Sequence, residues 1–351
     1  MTPNRDTTII RVIDMHTAGE PVRIAESGFP PLVGDTILEK RRDALTRLDH
    51  LRTMLMLEPR GHDGMYGVIP TEPCATGADL AVLFTHQEGY STMCGHATIA
   101  IGRWAVDSGR IALVDGKASF GLEAPCGVIR VDVEAGADGL ARVAFESVIS
   151  FANAFDREVQ VPGFGRLRVD IAFGGAFYAI LPASRLGLSL MDTPLAKLVE
   201  AATAITAAIR AGAPIVHPDE PDLGFLYGTI LTDDVALGAH GGQPSHNLCI
   251  FADGQIDRSP TGSGVTARIA LAASKGEMQV GDSCKIRGVS GEGFIGTLAA
   301  TDGTGLDARS RVRVSGQAWY SGRSEMIAEA GDRFAAGFAL PRRLADLDTP
   351  A

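Results

Sequence analysis

The chain of 351 residues has no stretch of about 18 consecutive apolar residues, which excludes the ordinary signature of a membrane-spanning helix. The N-terminal apolar run from Ile9 to Met15 is too short and too interrupted for a secretory signal, and reads instead as a first strand. Clusters of lysine and arginine are missing. The formal net charge is −10 with a pI near 5.3, so the footprint of a nucleic-acid binder or a polybasic membrane patch is absent. Cysteines are few, odd in number and widely spaced: Cys74, Cys94, Cys126, Cys249 and Cys284. No Cys-x-x-Cys pair suggests a zinc ribbon or a dithiol redox centre, and reduced thiols in a cytoplasmic protein are the expectation. Also missing are a Walker lysine, a dinucleotide glycine pattern and a Gly-x-Ser-x-Gly elbow. His16, His62 and His96 do not have the spacing of a metal site, and neither a metal nor a cofactor is expected.

Glycine, by contrast, is abundant at 42 residues, and short β-rich runs separated by turn signals dominate. RVIDMH, LAVLFTH, GVIRVDVE, RLRVDIAFGGAFYAI, LGFLYGTIL and NLCIFADGQ are among them, and several alternate apolar with polar residues. That alternation predicts mainly antiparallel sheet with one buried face. Thr36 to Met56 is predicted as one helix, opened by a capping box from Thr36 and Glu39, and Leu195 to Ala211 as an Ala-rich one. Two further helices start after small Gly-containing turns, at Cys94-Gly95-His96 and at Thr261-Gly262-Ser263-Gly264. Each is apolar, runs about four turns and stops near a glycine, Gly109 or Gly276. Their starts lie nearly half the chain apart. Two similar domains, each with strands around one buried helix, would give this pairing; so would coincidence.

Cys94 is expected at or just before a helix N-terminus, where unpaired N–H groups and the positive dipole end favour a thiolate. The same N–H groups can hold a carboxylate. On local sequence alone a small buried filler is the commoner fate of such a cysteine. The turn GQIDRSPTGSG likewise leads into a helix-start anion site, with Asp257 able to accept from an amine; a solvated Asp257 in a plain glycine-rich turn is the competing reading. His16 and Glu20 in DMHTAGEP are weaker cleft candidates, Arg60 and His62 read as a structured turn, and the other four cysteines read as inert.

Taken together, DMHTAGEPVRI, EKRR…MLEPRGH…MYGVIPTE, EGYSTMCGH and DRSPTGSGVTARIA occur in this order and resemble the proline racemase family over most of the chain. The resemblance implies an α+β fold of the diaminopimelate-epimerase-like kind. It has two related domains of antiparallel strands around a central helix, with the active site in the inter-domain cleft. The implied units are residues 1–152, carrying Cys94, and 153–324, carrying Thr261, with residues 325–351 packing back on the first.

Family racemases and epimerases use two opposed cysteines. Cys94 falls at the first position, and Thr261 stands where the second would be. Thr there, with VDIAFGGAFYA, LGFLYGTILTD and VSGQAWYSG, resembles the trans-3-hydroxy-L-proline dehydratase subgroup. The resemblance implies Cys94 and Thr261 as catalytic positions. Gly95, His96, Gly262 and Ser263 would bind the substrate carboxylate, Asp257 the ring amine, and Tyr227 is a loose candidate beside them. A proline racemase or 4-hydroxyproline epimerase, or a non-catalytic amino-acid binder, are the alternatives. The partner implied is a small molecule, with no nucleic acid and no membrane; a homodimer is an admissible assembly.

Overall fold

The computed structural model describes residues 7–137, 140–238, 242–252 and 254–340. The N-terminal hexapeptide, part of the LGAHGGQPSH loop and the tail from residue 341 therefore lie outside the described residues. Among those described, eighteen strands and five α-helices follow one another, and hydrogen bonding links the strands into a mixed sheet. Antiparallel pairing predominates, as the alternation predicts. Four contacts are parallel: Glu20–Ser27 with Tyr66–Thr71, Leu80–His86 with Lys117–Ala124, Phe177–Pro182 with Leu226–Thr232, and Ser245–Phe251 with Ser283–Arg287. Alternation along one strand reports which face is buried and is silent about the direction of the neighbour, so these contacts were not legible in the sequence.

The strand Thr8–Thr17 pairs with both Glu20–Ser27 and Ala318–Ala328, so the end of the described chain returns to its beginning. The returning strand starts at Ala318, ahead of the expected residue 325. Arg309–Gly316 pairs with Ala141–Glu146, which ties the two halves of the chain together by backbone hydrogen bonds.

The predicted helix from Thr36 to Met56 is two helices, α1 (Ile37–Arg47) and α2 (Asp49–Met56), broken at Leu48. The capping box forms as expected, with Glu39 N–H donating to Thr36 Oγ1 and Thr36 N–H donating to Glu39 Oε2. The break lets the pair serve two cores. Ile37 and Ala44 pack with Ile69, Leu83 and Tyr90, whereas Leu51, Met54 and Leu55 pack with Ile10 and Val12.

The two Gly-started helices are α3 (Gly95–Asp107) and, later in the chain, α5 (Gly262–Ser274). Both are buried on almost every side, as helices apolar all round must be. One hydrophobic cluster takes in Ile99, Ile101 and Trp104 of α3 together with Val265, Ile269 and Leu271 of α5. The remaining helix, α4 (Leu195–Arg210), presses Leu198, Ala202, Ile205 and Ile209 onto Phe173 and Phe177 in a second cluster. No helix among the described residues is long and apolar enough to cross a membrane.

Candidate active site

The N-termini of α3 and α5 meet in the interior. A Cβ built on Gly95 would lie 2.4 Å from the Cα of Gly262, and one built on Gly262 would lie 2.6 Å from the Cα of Gly95. Only two glycines back to back allow this approach. Two sets of unpaired helix-start N–H groups are thereby brought to one place. Around them lies a small pocket lined by Cys94, Gly95, His96, Asp257, Thr261, Gly262 and Ser263, with Tyr66, Met93, Tyr178, Tyr227 and Phe251. The seven catalytic and substrate-binding positions implied by the resemblance all border it, as does Tyr227; the weaker candidates His16 and Glu20 do not. Tyr66, Met93, Tyr178 and Phe251 were missed; they are apolar-looking members of strands or turns, and nothing in the sequence reveals that they face inward together.

Cys94 is the N-cap of α3, with extended backbone and no side-chain cap. Its Sγ lies 3.1 Å from Nδ1 of His96. Burial is the dominant influence on the thiol and pushes its pKa well up; the nearby Asp257 and Glu20 charges act the same way, against the Ala97 N–H and the Tyr66 hydroxyl. The expected preference for a thiolate at the helix start is corrected here, because desolvation of the buried sulfur outweighs the helix-start donors. Burial also lowers the pKa of His96, which therefore faces the thiol as a neutral ring.

Thr261 is the N-cap of α5 and adopts φ +63°, a left-handed conformation that strains a β-branched residue by about 1–3 kcal/mol. Its Oγ1 is buried without a hydrogen-bond partner. Behind it lies Cys249, fully buried on strand Ser245–Phe251, with burial raising its thiol pKa. Asp257 is buried, and its Oδ1 accepts from the Ser259 N–H at 2.8 Å. Ser263 Oγ and the Tyr178 hydroxyl are hydrogen-bonded at 2.7 Å.

Glu20 does not line the pocket but braces it. Completely buried, it accepts from the Arg258 N–H at 2.6 Å and so fixes the turn that follows Asp257; burial, then Asp257, raise its pKa well above the usual carboxylate range. His16 instead lines a separate groove of about 970 Å³ with Lys285 and Trp319. Arg60 ties its turn to Asp332 and to the carbonyls of Ile327 and Phe334. Among the described residues, no group of three or more His, Cys, Asp or Glu side chains is placed to hold a metal ion.

His86 stands behind the pocket, packed against Tyr66, Tyr227 and Phe251 with ring centroids about 6 Å away. Burial first, then Arg52, lowers its pKa to about 3. In the unfolded chain it takes a proton below about pH 6.5. The folded state cannot follow until near pH 3, so stability is complete above pH 6.5 and drains away as pH falls. From pH 7 to 5 this one group should cost about 2 kcal/mol. Urea unfolding at pH 7, 6 and 5 should show that loss in the natural protein and a shallower slope in His86→Asn; equal slopes would refute the assignment.

A reactive-type residue at each of two abutting helix starts, enclosed with a carboxylate and hydroxyls, defines an enzyme site for a small molecule. The chain belongs to the proline racemase family, whose sequence profile matches residues 12–339. It is 45% identical over 340 residues to the trans-L-3-hydroxyproline dehydratase of Xenopus tropicalis, covering 96% of this chain and 97% of that one. It is also 45% identical over 340 residues to the trans-3-hydroxy-L-proline dehydratase of Homo sapiens, covering 95% of each. A hydroxyproline epimerase from Agrobacterium vitis, solved with bound trans-4-hydroxy-L-proline, shares the fold with a TM-score of 0.87 at 24% identity, over 95% of both chains.

Proposed function

We propose that the protein is a trans-3-hydroxy-L-proline dehydratase, a hydro-lyase in which Cys94 acts on the C2 proton. The observation that carries this reading is Thr261 at the second helix start, across the pocket from Cys94. Inversion at Cα needs a group there that both takes and gives a proton near neutral pH. A threonine hydroxyl is far too weak an acid for that. Elimination needs no such partner. In trans-3-hydroxy-L-proline the C3 hydroxyl is trans to the carboxylate, so the C2 hydrogen and the hydroxyl share one ring face. A single group on that face can serve both in a syn elimination. The enamine formed tautomerises to Δ1-pyrroline-2-carboxylate. The names of the relatives at 45% identity point the same way.

In this reading the helix-start N–H groups of Gly95, His96, Gly262 and Ser263 grip the carboxylate and stabilise the charge that builds as the α-proton leaves. Asp257 holds the ring ammonium. That pairing also eases ionisation of the thiol in part. The Asp257 charge is one of the lesser causes raising the Cys94 pKa, burial being the largest, and a bound ammonium offsets that charge. Two related units contributing one helix start each complete the proposal: residues 1–152 with the returning strand Ala318–Ala328, and the residues between.

A coupled assay tests it. Trans-3-hydroxy-L-proline, this protein, a Δ1-pyrroline-2-carboxylate reductase and its nicotinamide cofactor should together consume the nicotinamide. Failure there, with inversion of L-proline or 4-hydroxyproline in deuterated water, would favour the racemase or epimerase alternative.

A further inference from the structure

The Tyr66 side chain is buried on strand Tyr66–Thr71, yet its hydroxyl has no hydrogen-bond partner. A buried phenol usually finds one, because leaving it unsatisfied costs about 1–3 kcal/mol. The ring stands edge-on to His96 at 4.8 Å between centroids and borders the pocket on the Cys94 side. The Cys94 thiol, the Ser91 hydroxyl and the Tyr227 phenol are its polar neighbours. Of the two other buried phenols of the pocket, Tyr178 is engaged with Ser263, and Tyr227 lies stacked on Phe251. The Tyr66 hydroxyl thus stands beside the thiol, close enough to influence it, without a hydrogen bond of ordinary geometry.

Resting on the dehydratase reading above, we propose that Tyr66 is a catalytic residue that binds the C3 hydroxyl of the substrate and protonates it as it leaves. The stereochemistry places the group. The C2 hydrogen must face Cys94, and the C3 hydroxyl lies on the same ring face, next to where the unpartnered phenol stands. The C2–H bond breaks, its proton passes to Sγ of Cys94 and its electron pair becomes the C2=C3 bond. The C3–O bond breaks with its pair going to oxygen, which takes the phenolic proton and departs as water. The phenolate then takes the proton from the neighbouring Cys94 thiol, so that both groups return to their starting state. The leaving oxygen thus takes the phenol's proton, and the proton lost from C2 replaces it on Tyr66 by way of Cys94. Hydroxide would be a poor leaving group without such a donor, and general acid catalysis of this kind is worth about 10²–10⁴-fold.

The test is Tyr66→Phe, assayed in deuterated water on trans-3-hydroxy-L-proline. Product formation should fall by about 100-fold or more. Deuterium should meanwhile appear at C2 of the recovered substrate, because Cys94 still removes the proton while the hydroxyl is held back. The thermal midpoint should be unchanged or raised, since the lost hydroxyl satisfied nothing. Product formation within threefold of the natural protein would overturn the proposal. So would loss of both product and C2 deuterium to the level of Cys94→Ser, with folding intact, which would make Tyr66 a support of the thiol. If Tyr66→Phe fails to fold, the hydroxyl has a structural role and the proposal falls. A natural protein that forms no product would sink the dehydratase reading itself, and is read separately.

Discussion

Replacing Cys94 by serine should lower the rate of trans-3-hydroxy-L-proline dehydration by about 10³-fold or more, with the fold intact. The side chain is an enclosed N-cap that makes no capping hydrogen bond, so the exchange removes little from the helix. What it removes is the acidity. A serine hydroxyl cannot ionise in a site where burial already holds even a thiol well above its ordinary range. Steady-state kinetics with a matched thermal midpoint check this. The same thiol gives a pH sign. Because its pKa is raised, kcat/KM should climb with pH beyond the ordinary thiol range near 8.5. Normal turnover by Cys94→Ser would remove the thiol from the chemistry and revive the amino-acid binder, or an enzyme of another kind.

The second large effect comes from a methyl group. Gly262→Ala places a Cβ 2.6 Å from the Cα of Gly95 and 3.1 Å from its carbonyl carbon. Neither atom belongs to a flexible side chain, so the helix starts must move apart. Overpacking of that kind costs about 1–3 kcal/mol. Displacing the proposed carboxylate grip by about 1 Å should cost about 100-fold in rate. Both should be visible, in the urea midpoint and in kcat/KM. Gly322→Ala is the matched control. Its Cβ would meet nothing within 4 Å, and its stability should stay within about 0.5 kcal/mol of the natural protein. If Gly262→Ala behaved like Gly322→Ala, the close approach of the two helices would not be a requirement of the site.

The pattern was readable where a local rule governs it. Thr36 and Glu39 announce a helix start because the capping hydrogen bonds join residues three apart. Gly109 and Gly276 mark where α3 and α5 stop, since each takes a positive φ. Leu48 carries no comparable mark. The helix breaks there because two separate hydrophobic clusters claim its two halves, and neither cluster can be seen from Thr36 to Met56 alone. Tyr66 shows the same limit at the site. MYGVIPTE was part of the family resemblance, but that its hydroxyl ends unpartnered beside Cys94 depends on four separate elements converging.

By itself the sequence determined the chemistry on offer: a thiol at one glycine-rich helix start, a threonine at the other, and an aspartate just before the second. Residue identity and short spacing decide these, and both are local. The tertiary structure alone decided that the two starts touch, glycine to glycine, and that Cys94 is buried in a small pocket between them. It therefore also decided that burial raises the pKa of the thiol above its ordinary range. Contact and desolvation are properties of what surrounds a group, and the groups around Cys94 come from the whole length of the chain.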